Sequence, residues 1–106
     1  MASTKASSAT DILTRRYGKT KKARQALEEA RASAYIARQI VTLREDAGLT
    51  QAELAKLVGT SRTVITRLED DDYEGHSLSM LRRIAAALNK RVEIRFVALP
   101  KSERVA

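Results

Sequence analysis

The chain of 106 residues has no cysteine and no tryptophan, and it has only one histidine and one proline. The lack of cysteine excludes disulfide bonds, thiolate metal sites and a thiol nucleophile. A single histidine cannot form a histidine-rich metal site. The sequence also has neither a glycine-rich phosphate loop nor a serine with a base at a recognisable spacing. We therefore expect no cofactor, no metal and no enzymatic activity.

Long apolar runs are missing as well. No stretch approaches the roughly 20 residues that span a bilayer, and the N-terminal residues lead into no signal-peptide core. These absences predict a cytoplasmic protein without a membrane partner. Hydrophobic residues nevertheless make up 43% of the chain, which is enough for the small core of one domain.

The charge is positive and unevenly distributed, with a net charge of +7. Residues 1–33 and residues 77–106 each carry +5, whereas residues 34–76 carry −3. Excess lysine and arginine attract polyanions by releasing condensed counterions, so the charge favours a nucleic-acid partner. A basic surface that is merely solvated is the alternative.

The N-terminal third is polar and rich in helix-forming residues. Residues 1–19 are predicted to be a flexible tail, in which Gly18 breaks a short helix at residues 11–16. Thr20 can cap a polar helical extension over residues 20–33.

An apolar helical face begins after residue 34, and Gly48 is predicted to end that helix as a left-handed residue. Its apolar residues recur at steps of four, three and four, the spacing of one helix face. They are Ile36, Ile40, Leu43 and Ala47.

Two short helices joined by a glycine turn are predicted next. Thr50 and Glu53 fit a capping box for a helix that extends to about Val58. Gly59 can adopt the positive φ of a tight turn, and Ser61 can cap the second helix. The residues expected to face the core are Leu54, Ala55, Val58, Val64, Ile65 and Leu68.

A loop over residues 70–76 precedes the last predicted helix, which Ser77 caps and Asn89 ends. The apolar stripe of that helix consists of Leu78, Leu81, Ile84, Ala85 and Leu88.

A period of two replaces the helical pattern over residues 90–100, where apolar residues alternate with charged ones and Pro100 closes the run. The pattern predicts one half-buried β-strand, followed by a tail at residues 101–106. A lone strand leaves its backbone groups unpaired, so we infer pairing across a homodimer or with a partner protein. A C-terminal extension that packs on the helices without pairing is the alternative. The residues assigned to dimerisation are Val92, Ile94 and Phe96.

Residues 49–69, LTQAELAKLVGTSRTVITRLE, resemble the Cro/Xre-type helix-turn-helix of phage repressors. The resemblance rests on Leu-Thr-Gln opening one helix, Leu-Ala within it, glycine at the turn, and a hydroxyl residue, isoleucine and glutamate along the next. It implies a mainly α fold, a five-helix phage-repressor-like bundle with the N-terminal helical extension and the C-terminal strand. The domain itself is predicted over residues 34–89.

The resemblance implies a sequence-specific DNA-binding transcriptional regulator, and specifically a repressor. In this family the second helix of the pair enters the major groove of double-stranded DNA. By position, the base-contacting residues are Arg62, Thr63, Val64, Thr66 and Arg67. The phosphate-contacting residues are Gln51, Thr50 and Ser61.

The sequence departs from the family where a short turn usually follows the glutamate. Here four carboxylates lie near the expected path of the DNA phosphates, and their repulsion should weaken binding. They are Asp70, Asp71, Asp72 and Glu74. Basic side chains that could offset this repulsion are Lys21, Lys22, Arg24, Arg82, Arg83 and Arg91.

The wider layout over residues 22–96 resembles the small HigA-type antitoxins. That resemblance implies a homodimer on an inverted-repeat operator and a RelE-like ribonuclease toxin as a partner. The alternative is a protein-interaction module, in which the bundle and the C-terminal strand bind a partner without specific DNA binding.

Overall fold

A computed structural model describes the backbone of residues 9–104, and it describes side chains from Thr20 onward with the exception of Glu103. Residues 1–8, the first part of the predicted tail, lie outside the described residues. The described chain divides into two units. Residues 29–97 form one of them, and the described residues before Glu29 and after Val97 belong to the other.

The first helix, α1, runs without interruption over Ala9–Asp46. The predicted break at Gly18 is wrong, as is the predicted start of a new helix at Thr20. A glycine inside a helix costs only about 1 kcal/mol relative to alanine, and the good helix formers around it outweigh that cost. The predicted tail therefore overlaps α1 from Ala9 onward.

Three shorter helices follow, α2 over Gln51–Val58, α3 over Arg62–Leu68 and α4 over Leu78–Ala87. A short 3-10 turn at Lys101–Glu103 belongs to the other unit. The described part of the chain thus has four α-helices, and the predicted five-helix count is wrong because the predicted N-terminal pieces are one helix.

The predicted caps of the three shorter helices are confirmed. The hydroxyl oxygens of Thr50, Ser61 and Ser77 accept hydrogen bonds from backbone N–H groups in the first turns of α2, α3 and α4. Gly59 lies in the left-handed region with φ +82°, and Asn89 follows α4 with φ +57°. Each helix therefore begins or ends where its local sequence provides the required hydrogen bond or backbone conformation.

One hydrophobic core forms where α2, α3 and α4 meet the last turns of α1. Ala47 is exposed because α1 ends before it, and Leu78, the first residue of α4, is 40% exposed. The other predicted core-facing residues are buried or partly buried. The buried members of the core are Ile40, Leu54, Ala55, Val58, Ile65, Leu68 and Ile84.

The predicted C-terminal strand is absent from the described chain, where residues 90–100 have no regular secondary structure. A strand exists only through backbone pairing, and no other strand occurs between residues 9 and 104 to provide it. Two of its apolar side chains are highly exposed, Ile94 at 65% and Phe96 at 99%, whereas Val92 is partly buried. The half-buried face that the alternation predicted is therefore lacking in a single chain.

None of the helices over the described residues 9–104 combines the length and apolar character that crossing a membrane requires.

Candidate nucleic-acid interface

The helix α3 has one buried and one exposed face. Ile65 and Leu68 pack in the core, and the helical period of 3.6 residues directs the residues between and before them to solvent. The exposed face borders a shallow open groove on the surface. The groove is lined by Arg62, Thr63, Thr66, Arg67 and Asp70.

Four of the five predicted base-contacting residues line this groove. The fifth, Val64, is partly buried and packs against the core. Two guanidinium groups and two hydroxyl groups thus share one solvent-facing surface. The guanidinium groups are donors of the kind that bind the acceptor-rich edge of guanine and adjacent phosphates, whereas the Thr66 hydroxyl already donates within the protein.

Thr50 and Ser61 lie immediately before α2 and α3, where their side chains act as caps. The Thr50 hydroxyl oxygen accepts from the N–H of Glu53 at 3.1 Å, and the Glu53 carboxylate accepts from the N–H of Thr50 at 2.8 Å. The hydrogen bond from the N–H of Thr50 lowers the pKa of the Glu53 carboxyl, and the Thr50 hydroxyl lowers it further. The Ser61 hydroxyl accepts from the N–H of Val64 at 3.2 Å. Capping uses an acceptor lone pair, so the hydroxyl hydrogen of Ser61 can still be donated, whereas the Thr50 hydroxyl also interacts with the Glu53 carboxylate.

Gln51, a predicted phosphate-contacting residue, also forms hydrogen bonds within the protein through its side-chain amide. Its side-chain Nε2 donates to Glu69 Oε1 at 2.9 Å, and its Oε1 accepts from the hydroxyl of Thr66 at 3.0 Å. The amide therefore links the first residue of α2 to the exposed face of α3. The Thr66 hydroxyl lies at the same distance, 3.0 Å, from a second acceptor, the carbonyl oxygen of Arg62.

Arg44 and Glu69 form an ion pair that the sequence analysis missed. Arg44 Nε lies 2.7 Å from Glu69 Oε2, and the two side chains are only 14% and 5% exposed. Arg44 Nη1 also donates to the carbonyl oxygen of Leu49 at 2.8 Å. The hydrogen bond with Glu69 raises the pKa of the Arg44 guanidinium, against the opposing effect of burial. The available signal was the position of Glu69 directly after the core residue Leu68, because a carboxylate that is buried there needs a cation as its partner.

Arg83, which the sequence placed among possible phosphate contacts, instead supports the turn. Its Nη2 donates to the carbonyl oxygens of Val58 and Gly59, at 3.0 and 3.1 Å. These carbonyls belong to the C-terminal end of α2, where the helix leaves acceptors unpaired and favours a cation. Arg82 is exposed.

The acidic loop is partly neutralised by α1. Asp71 Oδ2 lies 3.2 Å from Nη2 of Arg38, in a pair that is mostly solvent-exposed. His76 Nε2 lies 2.7 Å from the carbonyl oxygen of Leu68, so the end of the loop is anchored to the end of α3. The loop is thus attached to α1 through Asp71 and to the end of α3 through His76.

The comparison with known families agrees with this geometry. The helix-turn-helix family model, of Cro/Xre type, matches residues 40–94, slightly more than half of the chain. The chain belongs to this family of DNA-binding transcription regulators. Neither a curated protein nor a solved structure gives a significant match.

Proposed function

We propose that this protein is a repressor that binds a specific sequence in double-stranded DNA through the exposed face of α3. One observation carries the proposal. Arg62, Thr63, Thr66 and Arg67 line a single open groove on the helix that the family inserts into DNA. Arg62 and Arg67 would each bind guanine O6 and N7 with two hydrogen bonds.

The roles of the flanking residues follow from their positions. The N-terminal ends of α2 and α3 carry the partial positive charge of the helix dipole, which favours phosphate. Thr50 and Ser61 would donate their hydroxyl hydrogens there, and Gln51 would donate through its backbone N–H and the second hydrogen of its Nε2. These contacts would fix the orientation of α3 without selecting a base.

The test is selection of bound duplexes from a random library by the purified protein at about 0.15 M salt, where non-specific binding is moderate. The expected result is enrichment of one sequence, arranged as an inverted repeat. A library that stays random after repeated rounds would refute specific binding.

We further propose that the protein binds its operator as a homodimer through the C-terminal segment. Phe96, Ile94 and Val97 are 99%, 65% and 72% exposed in the single chain, a run of apolar surface that favours coverage by another chain. Pairing with a second copy would form the strand that one chain cannot form alone. The two α3 helices would then lie about 34–36 Å apart, one turn of DNA.

Sedimentation equilibrium distinguishes a homodimer from a single chain. A mass of twice the 11.7 kDa chain is expected, and Phe96→Ser should reduce it to that of one chain. Leu57→Ser is the matched control, because Leu57 is also an exposed apolar residue, at 57%, but lies on α2. A wild-type mass of one chain at all concentrations, with and without DNA, would refute the homodimer.

An antitoxin role is a more specific version of the repressor proposal, and the HigA-like layout of residues 22–96 supports it. The same exposed C-terminal segment that would pair copies also suits a RelE-like toxin as a protein partner. The test is co-expression with a RelE-like ribonuclease encoded beside this gene. Rescue of the growth that the ribonuclease arrests would support the role, and lack of rescue would remove it while leaving the repressor proposal unaffected.

The interaction-module alternative is favoured by the same exposed apolar segment. It predicts no enriched sequence in the duplex library, together with a protein partner that Phe96→Ser releases.

A further inference from the structure

Asp70 is the one carboxylate among the described residues that line the α3 groove, beside Arg62, Thr63, Thr66 and Arg67. It lies three positions after Arg67 and four after Thr66. Its N–H donates to the carbonyl oxygen of Arg67 at 3.1 Å, so the chain continues as a turn beyond the helix end. The groove therefore presents a negative acceptor next to its positive donors.

Asp70 lies between two residues that are each paired with a cation, whereas Asp70 itself is not. Glu69 is paired with Arg44 and Asp71 with Arg38, both from α1. Over the described residues, Asp70 forms no ion pair within 4.0 Å. Its carboxylate therefore lines the groove without a paired cation among the described residues.

The side chain of Asp70 is also held in place. Its Oδ1 accepts from the N–H of Asp72 at 2.9 Å, which fixes the carboxylate and leaves Oδ2 as a free acceptor. An oriented carboxylate discriminates strongly among groups in the major groove. It repels phosphate, guanine O6 and N7, and thymine O4, and it accepts a hydrogen bond from an exocyclic amine.

We propose that Asp70 is a specificity-determining residue that accepts a hydrogen bond from the N4 amine of a cytosine in the operator. The proposal rests on the DNA-binding function proposed above. It gives the groove one acceptor for cytosine in addition to the arginine donors for guanine. The carboxylate that lowers the overall attraction for DNA is then the group that excludes wrong bases at one position.

The test repeats the library selection with wild-type protein, Asp70→Asn and Asp72→Asn. Asp70→Asn removes the charge but keeps an oxygen that can accept from Asp72, so the turn is retained. Asp72→Asn makes the same change of charge at an exposed residue outside the groove. Far-ultraviolet circular dichroism and thermal melting show whether the three proteins have the same helix content and the same stability.

We expect one position of the wild-type site to be a cytosine that Asp70→Asn no longer selects. The preference for cytosine should fall about tenfold or more, and adenine should replace it, because an asparagine amide binds adenine N6 and N7. Asp72→Asn should select the wild-type sequence and bind all duplexes slightly more tightly.

Two results would overturn the proposal in different ways. If both variants select the wild-type sequence and gain equal affinity, Asp70 acts only as a repulsive charge, and the repressor function stands. If the wild-type protein itself enriches no sequence, the function and the role of Asp70 fail together.

Discussion

The guanidinium of Arg44 and the carboxylate of Glu69 form a two-point ion pair, with Nε 2.7 Å from Oε2 and Nη2 3.0 Å from Oε1. The pair joins the last turns of α1 to the residue that ends α3. Gln51 extends it to the hydroxyl of Thr66 in the groove. The exposed face of α3 is thus held to the core by polar contacts as well as by Ile65 and Leu68.

Removal of one member of this pair should be strongly destabilising, because it leaves the other charge buried without a partner. Glu69→Gln and Arg44→Met are each expected to lower the free energy of unfolding by about 3 kcal/mol. The double variant should lose less than the sum of the two. Urea unfolding of the four proteins measures this, and additive losses would show that the two groups are not coupled.

Arg62→Ala is expected to relax specificity at one base position of the operator by roughly tenfold, since one bidentate contact with guanine is lost. Arg82→Ala is the matched control, because Arg82 is an exposed arginine of α4 that does not line the groove. Both variants lose one positive charge, but only Arg62→Ala should change the base preference. Competition binding measures this, and an unchanged base preference for Arg62→Ala would contradict its assigned role.

Gln51→Ala should weaken binding evenly across sequences rather than at one base. The variant removes the side-chain amide, whose Nε2 donates one hydrogen to Glu69 and has a second one for a phosphate. The Thr66 hydroxyl can still donate to the carbonyl oxygen of Arg62. We expect the free energy of unfolding to fall by about 1 kcal/mol per lost hydrogen bond, and the affinities for operator and random duplexes to fall by the same factor. A loss confined to one base pair would instead make Gln51 a base-contacting residue.

Gly59→Ala should destabilise the protein by about 1 kcal/mol, because Gly59 has φ +82° and an L side chain is strained there. A Cβ at this position would lie 3.6 Å from Nη2 of Arg83, an ordinary contact, so the cost arises from the backbone alone. Gly59→Asn should cost less, since asparagine tolerates the left-handed region. Thermal unfolding of both variants tests this, and equal losses would indicate steric crowding instead.

The capping box of α2 should make the free energy of unfolding depend on pH in the acidic range. Because hydrogen bonds from Thr50 lower the pKa of Glu53 in the folded protein, the charged carboxylate stabilises the fold fully above its unfolded-state pKa. That contribution is lost as the pH falls through the lower, folded-state pKa.

Glu53→Gln separates charge from hydrogen bonding, because glutamine can still accept from the N–H of Thr50. The wild type should be more stable than this variant near pH 7, and the difference should shrink as the pH falls below about 4. Thermal melts across this range measure it. A difference that stays constant with pH would contradict the assignment.

Local sequence determined most of the secondary structure of this protein. Thr50, Ser61 and Ser77 cap α2, α3 and α4 as predicted, and Gly59 and Asn89 adopt the positive φ expected of them. Caps and turns depend on hydrogen bonds between residues a few positions apart, so the sequence specifies them directly. The apolar spacing likewise identified the buried residues of α2 and α3.

Tertiary structure decided the features that depend on distant parts of the chain. The burial of Arg44 against Glu69, the link from Gln51 to Thr66 and the cap that Arg83 provides for α2 all join residues 15 or more positions apart. The long helix α1 and the unpaired residues 90–100 were also mispredicted. Gly18 is a weak local signal against a run of helix formers, and a strand requires a partner that one chain does not supply. Local chemistry thus set where each helix begins and ends, and packing decided which charged side chains hold the helices together and which face the groove.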